Sequence, residues 1–374
     1  MEKENDYPML SAFFRLVRWE NLVIIFITQF LFGKYVIASL FHIPDQFFQK
    51  FYSDNGVSEV PFHFGLMFND FNFYLLCFST VCIAAAGYII NDYFDVKTDR
   101  INRPETIIVD RIIKRRVAML LHVILNVLGV GIGVYIAMIC GNIKLSLIHF
   151  VSASVLWFYS TNFKKMFIVG NLVVALLIGL VPITVALFNN AALIQEHSRA
   201  FVNNPLYLNF ITYFQVDMTR PLIFSCFFGL FAFLINFQRE IAKDMEDMAG
   251  DMETGGKTIP ITMGNKFSKN IIHLINAITV SLAIIAAIKI ALPNRDFVWY
   301  KLGIATSGNN NADWLSFFYL LLFVIIPLIV FSAVLLRSDS PKGYKRAGRV
   351  LKLIMLAGIL YSFIIWYNFT KTIN

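Results

Sequence analysis

Charge is what this sequence lacks most. Asp, Glu, Lys and Arg make up 15% of its 374 residues, where a soluble domain carries about a quarter. Cysteine is scarce, with four residues in the chain. Cys77, Cys82, Cys140 and Cys226 all fall in apolar runs, with no C-x-x-C pair and no accompanying histidines. That excludes a zinc site and a disulfide framework, and leaves core packing as the expected role of the thiols. No low-complexity tract, long flexible linker or soluble accessory domain interrupts the chain. The opening MEKENDYPML is too charged and too short for a signal peptide, so the first span is expected to stay in the protein. The net charge of +8 does not point to nucleic acid, because the basic residues are confined to short loops between apolar runs.

Apolar runs are abundant. The chain is 57% hydrophobic with a mean hydropathy of +0.65, and stretches of about 20 residues, enough to cross a bilayer, recur along its length. The pattern predicts an all-α, polytopic membrane protein, a bundle of nine transmembrane helices over 10–38, 68–91, 113–138, 143–161, 166–188, 221–241, 268–291, 314–336 and 347–369. Basic residues gather in alternate loops: Lys97 to Arg116, Lys164 and Lys165, Arg239 to Lys269, and Arg337 to Arg349. The positive-inside rule assigns those loops and the N-terminus to the cytoplasm, the inner membrane if the cell is bacterial, and sends the C-terminus outside. Phe47, Phe48, Phe51, Tyr52, Phe62 and Phe64 in the first outer link read as an interfacial aromatic belt.

Against this background two acidic clusters stand out. NDYFDVKTDR places Asp92, Asp95 and Asp99 together, and DMEDMAGD places Asp244, Asp247 and Asp251 at the same D-x-x-D-x-x-x-D spacing. On a helix, positions i, i+3 and i+7 lie within about 60° of arc. Each triad therefore projects from one face, and like charges held so close in a low-dielectric bundle require a cation. One reading has the acids end helices at the membrane surface and pair with nearby Arg and Lys. Duplication of the spacing on one face of the membrane favours another, a pair of Mg²⁺ sites with a diphosphate between them. Soft metals are excluded because neither stretch contains His or Cys. Arg100, Arg103, Lys164 and Lys243 are placed to take the remaining phosphate charge. A metal-charged anion site at the rim of an apolar cavity opening to the cytoplasm suits an isoprenyl diphosphate. There, metal ions stabilise the departing diphosphate, while water is excluded and π-faces surround the allylic cation.

These residues resemble a known family, the UbiA-type intramembrane prenyltransferases, over nearly the full chain. Asn91-Asp92-x-x-Asp95-x-x-x-Asp99 is similar to the family's first aspartate motif, and Asp244-x-x-Asp247-x-x-x-Asp251 to its second. Arg18 and Asn21 in VRWEN, and YSTNFKK followed by Gly170-Asn171, stand where the family keeps similar residues. The resemblance implies a single membrane-embedded prenyltransferase domain over 1–374 that uses two Mg²⁺ ions. Asn91, Asp92, Asp95 and Asp99 would hold one ion, and Asp244, Asp247 and Asp251 the other. Asp92, Asp95, Asp244, Asp247 and Lys164 would carry the catalysis. Arg103, Tyr159 and Lys243 would contact substrate, and Arg18 and Asn21 would line the pocket.

REIAKDMEDMAGDMETGGKTIPI resembles the branch that prenylates geranylgeranylglyceryl phosphate, an ether-lipid step. The expected partners are thus a prenyl diphosphate donor, a lipophilic or phosphorylated acceptor and the bilayer, with no obligate protein partner. The chain departs from the family where a Pro-rich turn resembling RPIPSG commonly follows NRP; here the sequence reads NRPETIIVDR. Two alternatives stay open, an aromatic-acid or quinone-precursor prenyltransferase and an ion- or proton-coupled transporter.

Overall fold

Long apolar runs in hydrocarbon must satisfy their own backbone hydrogen bonds, and the helix is the local solution. The computed structural model describes residues 9–40, 69–203, 219–291 and 313–371. Among these, a short helix α1 (Met9–Leu16) leads into α2 (Trp19–Leu40). It is followed by α3 (Asp70–Asn102), α4 (Arg115–Ile139), α5 (Ser146–Thr161), α6 (Val169–Asn203), α7 (Arg220–Glu253), α8 (Ile259–Ala291), α9 (Trp314–Leu336) and α10 (Pro341–Lys371). Nine of the described helices, α2 to α10, are long and apolar enough to span a bilayer. The described residues contain no strand beyond one isolated bridge, Val109 to Ile113. The predicted aromatic belt lies outside the described residues.

The structure corrects the ends of the two helices that matter most. The second and sixth spans do not stop at 91 and 241 but continue to Asn102 and Glu253. Charge ends a hydropathy window, but Asp, Lys and Arg do not break a helix. The stops are backbone events. Arg103 precedes Pro104 and leaves the helical region, at φ −154° and ψ 61°. Beyond Thr254, Gly255 turns to φ 78° and the Gly256 N–H closes on the Asp251 carbonyl at 2.7 Å. At 33 and 34 residues each helix is about 50 Å long, against a hydrocarbon core of about 30 Å. Their last three turns therefore stand beyond the apolar layer, and these turns carry the aspartates. Similarly, α8 begins at Ile259 and kinks at Gly264 (φ 80°), so only its run after the kink matches the predicted span.

Packing holds the two long helices in place. α6 and α7 meet backbone to backbone: a Cβ on Gly179 would lie 2.8 Å from the Gly229 carbonyl oxygen, and one on Gly229 2.6 Å from that of Gly179. Small residues permit such an approach where lipid gives no hydrophobic drive. Ile241, Met245, Ile272, Leu328 and Leu351 knit α7 to α8, α9 and α10. Phe32, Phe73, Ile136 and Phe188 pack α2, α3, α4 and α6. A third cluster sits under the motif end, where Ile108 and Val109 of the NRPETIIVDR segment, with Ile113 just after it, bury against Leu16 and Val17. That apolar anchor fixes the loop without the Pro-rich turn of the family. Cys77, Cys82 and Cys140 are buried as expected, but Cys226 is exposed on the outward face of α7, so packing accounts for three of the four thiols.

Candidate active site

The two acidic helix ends are laced together. Asn102 at the end of α3 donates to the Asp247 carbonyl (3.0 Å) and accepts from the Gly250 N–H (2.9 Å), a two-armed grip on the backbone of α7. Gly250 is required there, since a Cβ would come within 2.6 Å of the Asn102 side chain. Thr98 meets Thr254 at 3.2 Å. Both triads consequently occupy one end of the bundle.

Lys164, on the turn between α5 and α6, bonds Asp95 of the first triad and is drawn also by Asp251 of the second. Asp95 accepts a further bond from Asn91 Nδ2 at 2.6 Å. Arg18 reaches Asp92 at 2.7 Å and lies over the Tyr88 ring, 5.0 Å from its centroid. Arg103 spans Asp247 and Glu246. Asn171 donates to Asp244 at 2.7 Å. Asp99 feels Asp95, Asp92, Lys164 and Arg103, and Asp251 feels Lys164, Asp247 and Asp95. Burial works against the cations, but their acids outweigh it. Lys164 is held above the ordinary lysine range by Asp95, Tyr159 and Asp251. Arg18 and Arg103 are likewise raised by Asp92 and by Asp247 with Glu246.

Every residue expected at the site lies at this end of the bundle. Tyr159 is close enough to Lys164 to interact with its charge, Lys243 stands 4.0 Å from Glu240, and Asn21 lies against the Tyr88 hydroxyl. Among the described residues, no three His, Cys, Asp or Glu converge tightly enough to hold a metal ion. The reason is visible in the pairings: cations or amides hold Asp92, Asp95, Asp244 and Asp247 apart. Among the described residues, three non-glycine residues adopt the left-handed backbone, Arg18 (φ 51°), Asp110 (φ 73°) and Ile168 (φ 58°). All three are in connections at the motif end, where strain of about 1–2 kcal/mol each is stored.

The structure adds residues that the sequence reading did not select. Glu240, buried between Arg239 and Lys243, lies four positions before Asp244. Tyr88 lies four positions before Asp92, so the two helices carry the same four-position stripe: Tyr88, Asp92, Asp95, Asp99 and Glu240, Asp244, Asp247, Asp251. That extended spacing was a signal available in the sequence. A cavity of about 420 Å³ opens beside the stripe, between the α1–α2 junction, α3, α7 and the start of α10.

Residues 62–359 match the UbiA prenyltransferase family. The chain belongs to that family. Among its relatives, the digeranylgeranylglyceryl phosphate synthase of Methanobrevibacter smithii is 30% identical over 78% of this chain and 84% of its own. The synthase of the same description from Methanothermobacter thermautotrophicus is 34% identical over 53% of this chain, and the match spans 59% of that protein. In fold, the chain resembles a UbiA homologue from Archaeoglobus fulgidus solved with GPP and Mg²⁺ bound. The TM-score is 0.52 and the identity 16%, with 96% of this chain and 100% of that one covered. As a member of the family, the chain is an integral multi-pass membrane prenyltransferase.

Proposed function

We propose that the protein transfers a long isoprenyl group from a prenyl diphosphate to geranylgeranylglyceryl phosphate. The observation that carries this reading is the convergence of two acidic triads from α3 and α7 around Lys164. Likeness to the digeranylgeranylglyceryl phosphate synthases of Methanobrevibacter and Methanothermobacter supports the acceptor. The Archaeoglobus structure with GPP and Mg²⁺ supports the donor class and the ion.

The residues fit Mg²⁺. Their donors are hard oxygens without His or Cys, and Asn91 Oδ1 is buried beside Asp95 with no hydrogen-bond partner, an oxygen left for a cation. Asn91, Asp92, Asp95 and Asp99 would hold one ion, and Asp244, Asp247 and Asp251 a second. Bound there, Mg²⁺ supplies Lewis-acid stabilisation of the negative charge that develops on diphosphate. Lys164 and Arg103 would hold phosphate oxygens by charge-assisted hydrogen bonds. Arg18 and Asn21 orient the Tyr88 side of the pocket. In the transfer, the donor C1–O bond breaks and its electron pair leaves with diphosphate. The acceptor hydroxyl oxygen then bonds C1 and releases its proton. The basic loops at this end support a cytoplasmic position for it by the positive-inside rule.

The test supplies labelled geranylgeranyl diphosphate and Mg²⁺ to the purified protein, with geranylgeranylglyceryl phosphate and aromatic acids as parallel acceptors. Labelled ether lipid with released diphosphate is the expected result. A labelled aromatic product, or no diphosphate released with any acceptor, would overturn it.

A further inference from the structure

Eight basic and three acidic side chains line the cavity beside the triads, so it is a seat for anions. Its inner wall is already accounted for: Asp92, Asp99 and Arg103 belong to the diphosphate and metal end. Its outer wall is not. There α10 contributes Lys345, Arg349 and Lys352, spaced four and three apart on one helical face, with Arg15 of α1 also on the wall. Arg349 makes no ion pair among the described residues. The acids near the other two are weakly engaged. Lys345 stands 3.9 Å from Glu246, which Arg103 already takes at 3.2 Å, and Lys352 meets Glu20, a mostly exposed side chain, at 3.3 Å.

Two further features set this wall apart from a merely basic membrane surface. Gly348 lies within the basic face, and a Cβ added to it would meet nothing within 4 Å, so the helix leaves open space where a ligand can press against its backbone. Lys342 and Arg346, on the same turns of α10, do not line the cavity. The helix thus sorts its charge, some toward the cavity and some toward the surface.

Resting on the proposed function, we infer that this outer wall binds the phosphomonoester of the acceptor, separately from the diphosphate of the donor. The two anions would share one cavity from opposite walls. The acceptor hydroxyl, which is tethered to its phosphate through the glycerol, would then be carried toward the donor carbon at the aspartates. Lys345, Arg349 and Lys352 become specificity determinants that select a phosphorylated acceptor over a neutral one.

The experiment uses the full-length protein in nanodiscs of zwitterionic lipid and compares Arg349→Gln with Arg346→Gln, which removes the same charge outside the cavity. Arg349→Gln should raise the KM for geranylgeranylglyceryl phosphate by about ten- to a hundredfold, the effect of one charge-assisted bond to phosphate. The KM for geranylgeranyl diphosphate should not change, and Arg346→Gln should alter neither value. Gly348→Val, which fills the open space without removing charge, should raise the acceptor KM as well. An unchanged acceptor KM in Arg349→Gln, an equal rise in donor KM, or the same effect from Arg346→Gln would overturn the inference. Calorimetric titration with glycerol 3-phosphate, without Mg²⁺ or donor, decides it independently of turnover. Binding that Arg349→Gln weakens supports the seat even if the acceptor in the proposed function is wrong. No binding, or binding indifferent to Arg349 and to phosphate as against phosphodiester headgroups, removes it.

Discussion

Lys164 bonds Asp95 of the first triad and lies within the charge influence of Asp251 of the second, and replacing it with methionine separates charge from shape. Its side chain is 21% exposed and that of its partner Asp95 12%, so the pair sits in a largely desolvated environment. Removing one partner of a fully buried pair costs about 3–5 kcal/mol because the remaining charge is uncompensated. The residual water access here reduces that to about 2–3 kcal/mol. In Lys164→Met, Asp95 keeps only its bond from Asn91, and its repulsion with Asp251 goes unopposed at that point. In chelator the variant should therefore unfold at a clearly lower temperature than the wild type. Added Mg²⁺ should raise its midpoint more than that of the wild type, because the ion replaces the missing cation.

The thiols provide the assay. Cys77, Cys82 and Cys140 are buried and become reactive to a fluorogenic maleimide only on unfolding, while exposed Cys226 sets the baseline. The pH dependence follows from the sign of the shift. The folded pKa of Lys164 lies above its unfolded value, so its contribution is complete below about 10.4 and fades only as pH rises through the folded value. The gap between wild type and variant should hold steady from about pH 7 to about pH 9. Equal midpoints in chelator, or equal gains from Mg²⁺, would refute this role for Lys164.

Further outcomes are expected of other positions. Asp92→Asn and Asp244→Asn should each lose turnover while remaining inserted and folded, checked by diphosphate release beside the thiol assay; full activity in both would remove the two-metal reading. Asn102→Ala removes both bonds that tie α3 to α7 and should lower stability by about 2 kcal/mol, with kcat falling as the triads lose register. Asp110→Gly relieves a left-handed residue (φ 73°) and gives up only a 3.6 Å pair between exposed side chains with Arg100; it should raise stability by about 1 kcal/mol with unchanged kcat. Mg²⁺ must displace Lys164 and Arg103 from the carboxylates, so calorimetry should show weak binding of Mg²⁺ alone and much tighter binding with inorganic diphosphate present, which gives the displaced cations new partners.

Hydropathy located the spans because bilayer crossing depends on length and apolarity, both readable in one dimension. It failed at the ends of α3 and α7 for a physical reason. Hydropathy measures where lipid stops, whereas a helix stops where backbone geometry changes, here at Arg103-Pro104 and at Gly255. The missed turns are the ones that carry the aspartates of the candidate site. Arg18 shows the same limit. Its presence near the pocket was legible, but the left-handed backbone that aims it at Asp92 and Tyr88 has no signature in the residue type.

The site reading was legible where spacing repeats and illegible where partners come from distant segments. The two triads announce themselves by identical intervals, and the same intervals extended by four residues would have found Tyr88 and Glu240. No interval connects Asn102 to Gly250 or Arg103 to Glu246, because those pairs exist only once α3 and α7 end side by side. Those distant pairs also join the two sequence readings of the acids, as helix ends paired with Arg and Lys or as metal ligands. Under the proposed function both would apply, in succession: the cations that pair with the carboxylates in the ligand-free protein would be the ones to receive phosphate oxygens once metal took their place. Two unit charges 4 Å apart at an effective dielectric of 20 interact by about 4 kcal/mol, so six aspartates could not be stored at one end of the bundle without such stand-ins. The basic residues around the motifs are therefore part of the site's folding as well as its chemistry, and removing any one of them should show in the stability of the free protein before it shows in the reaction.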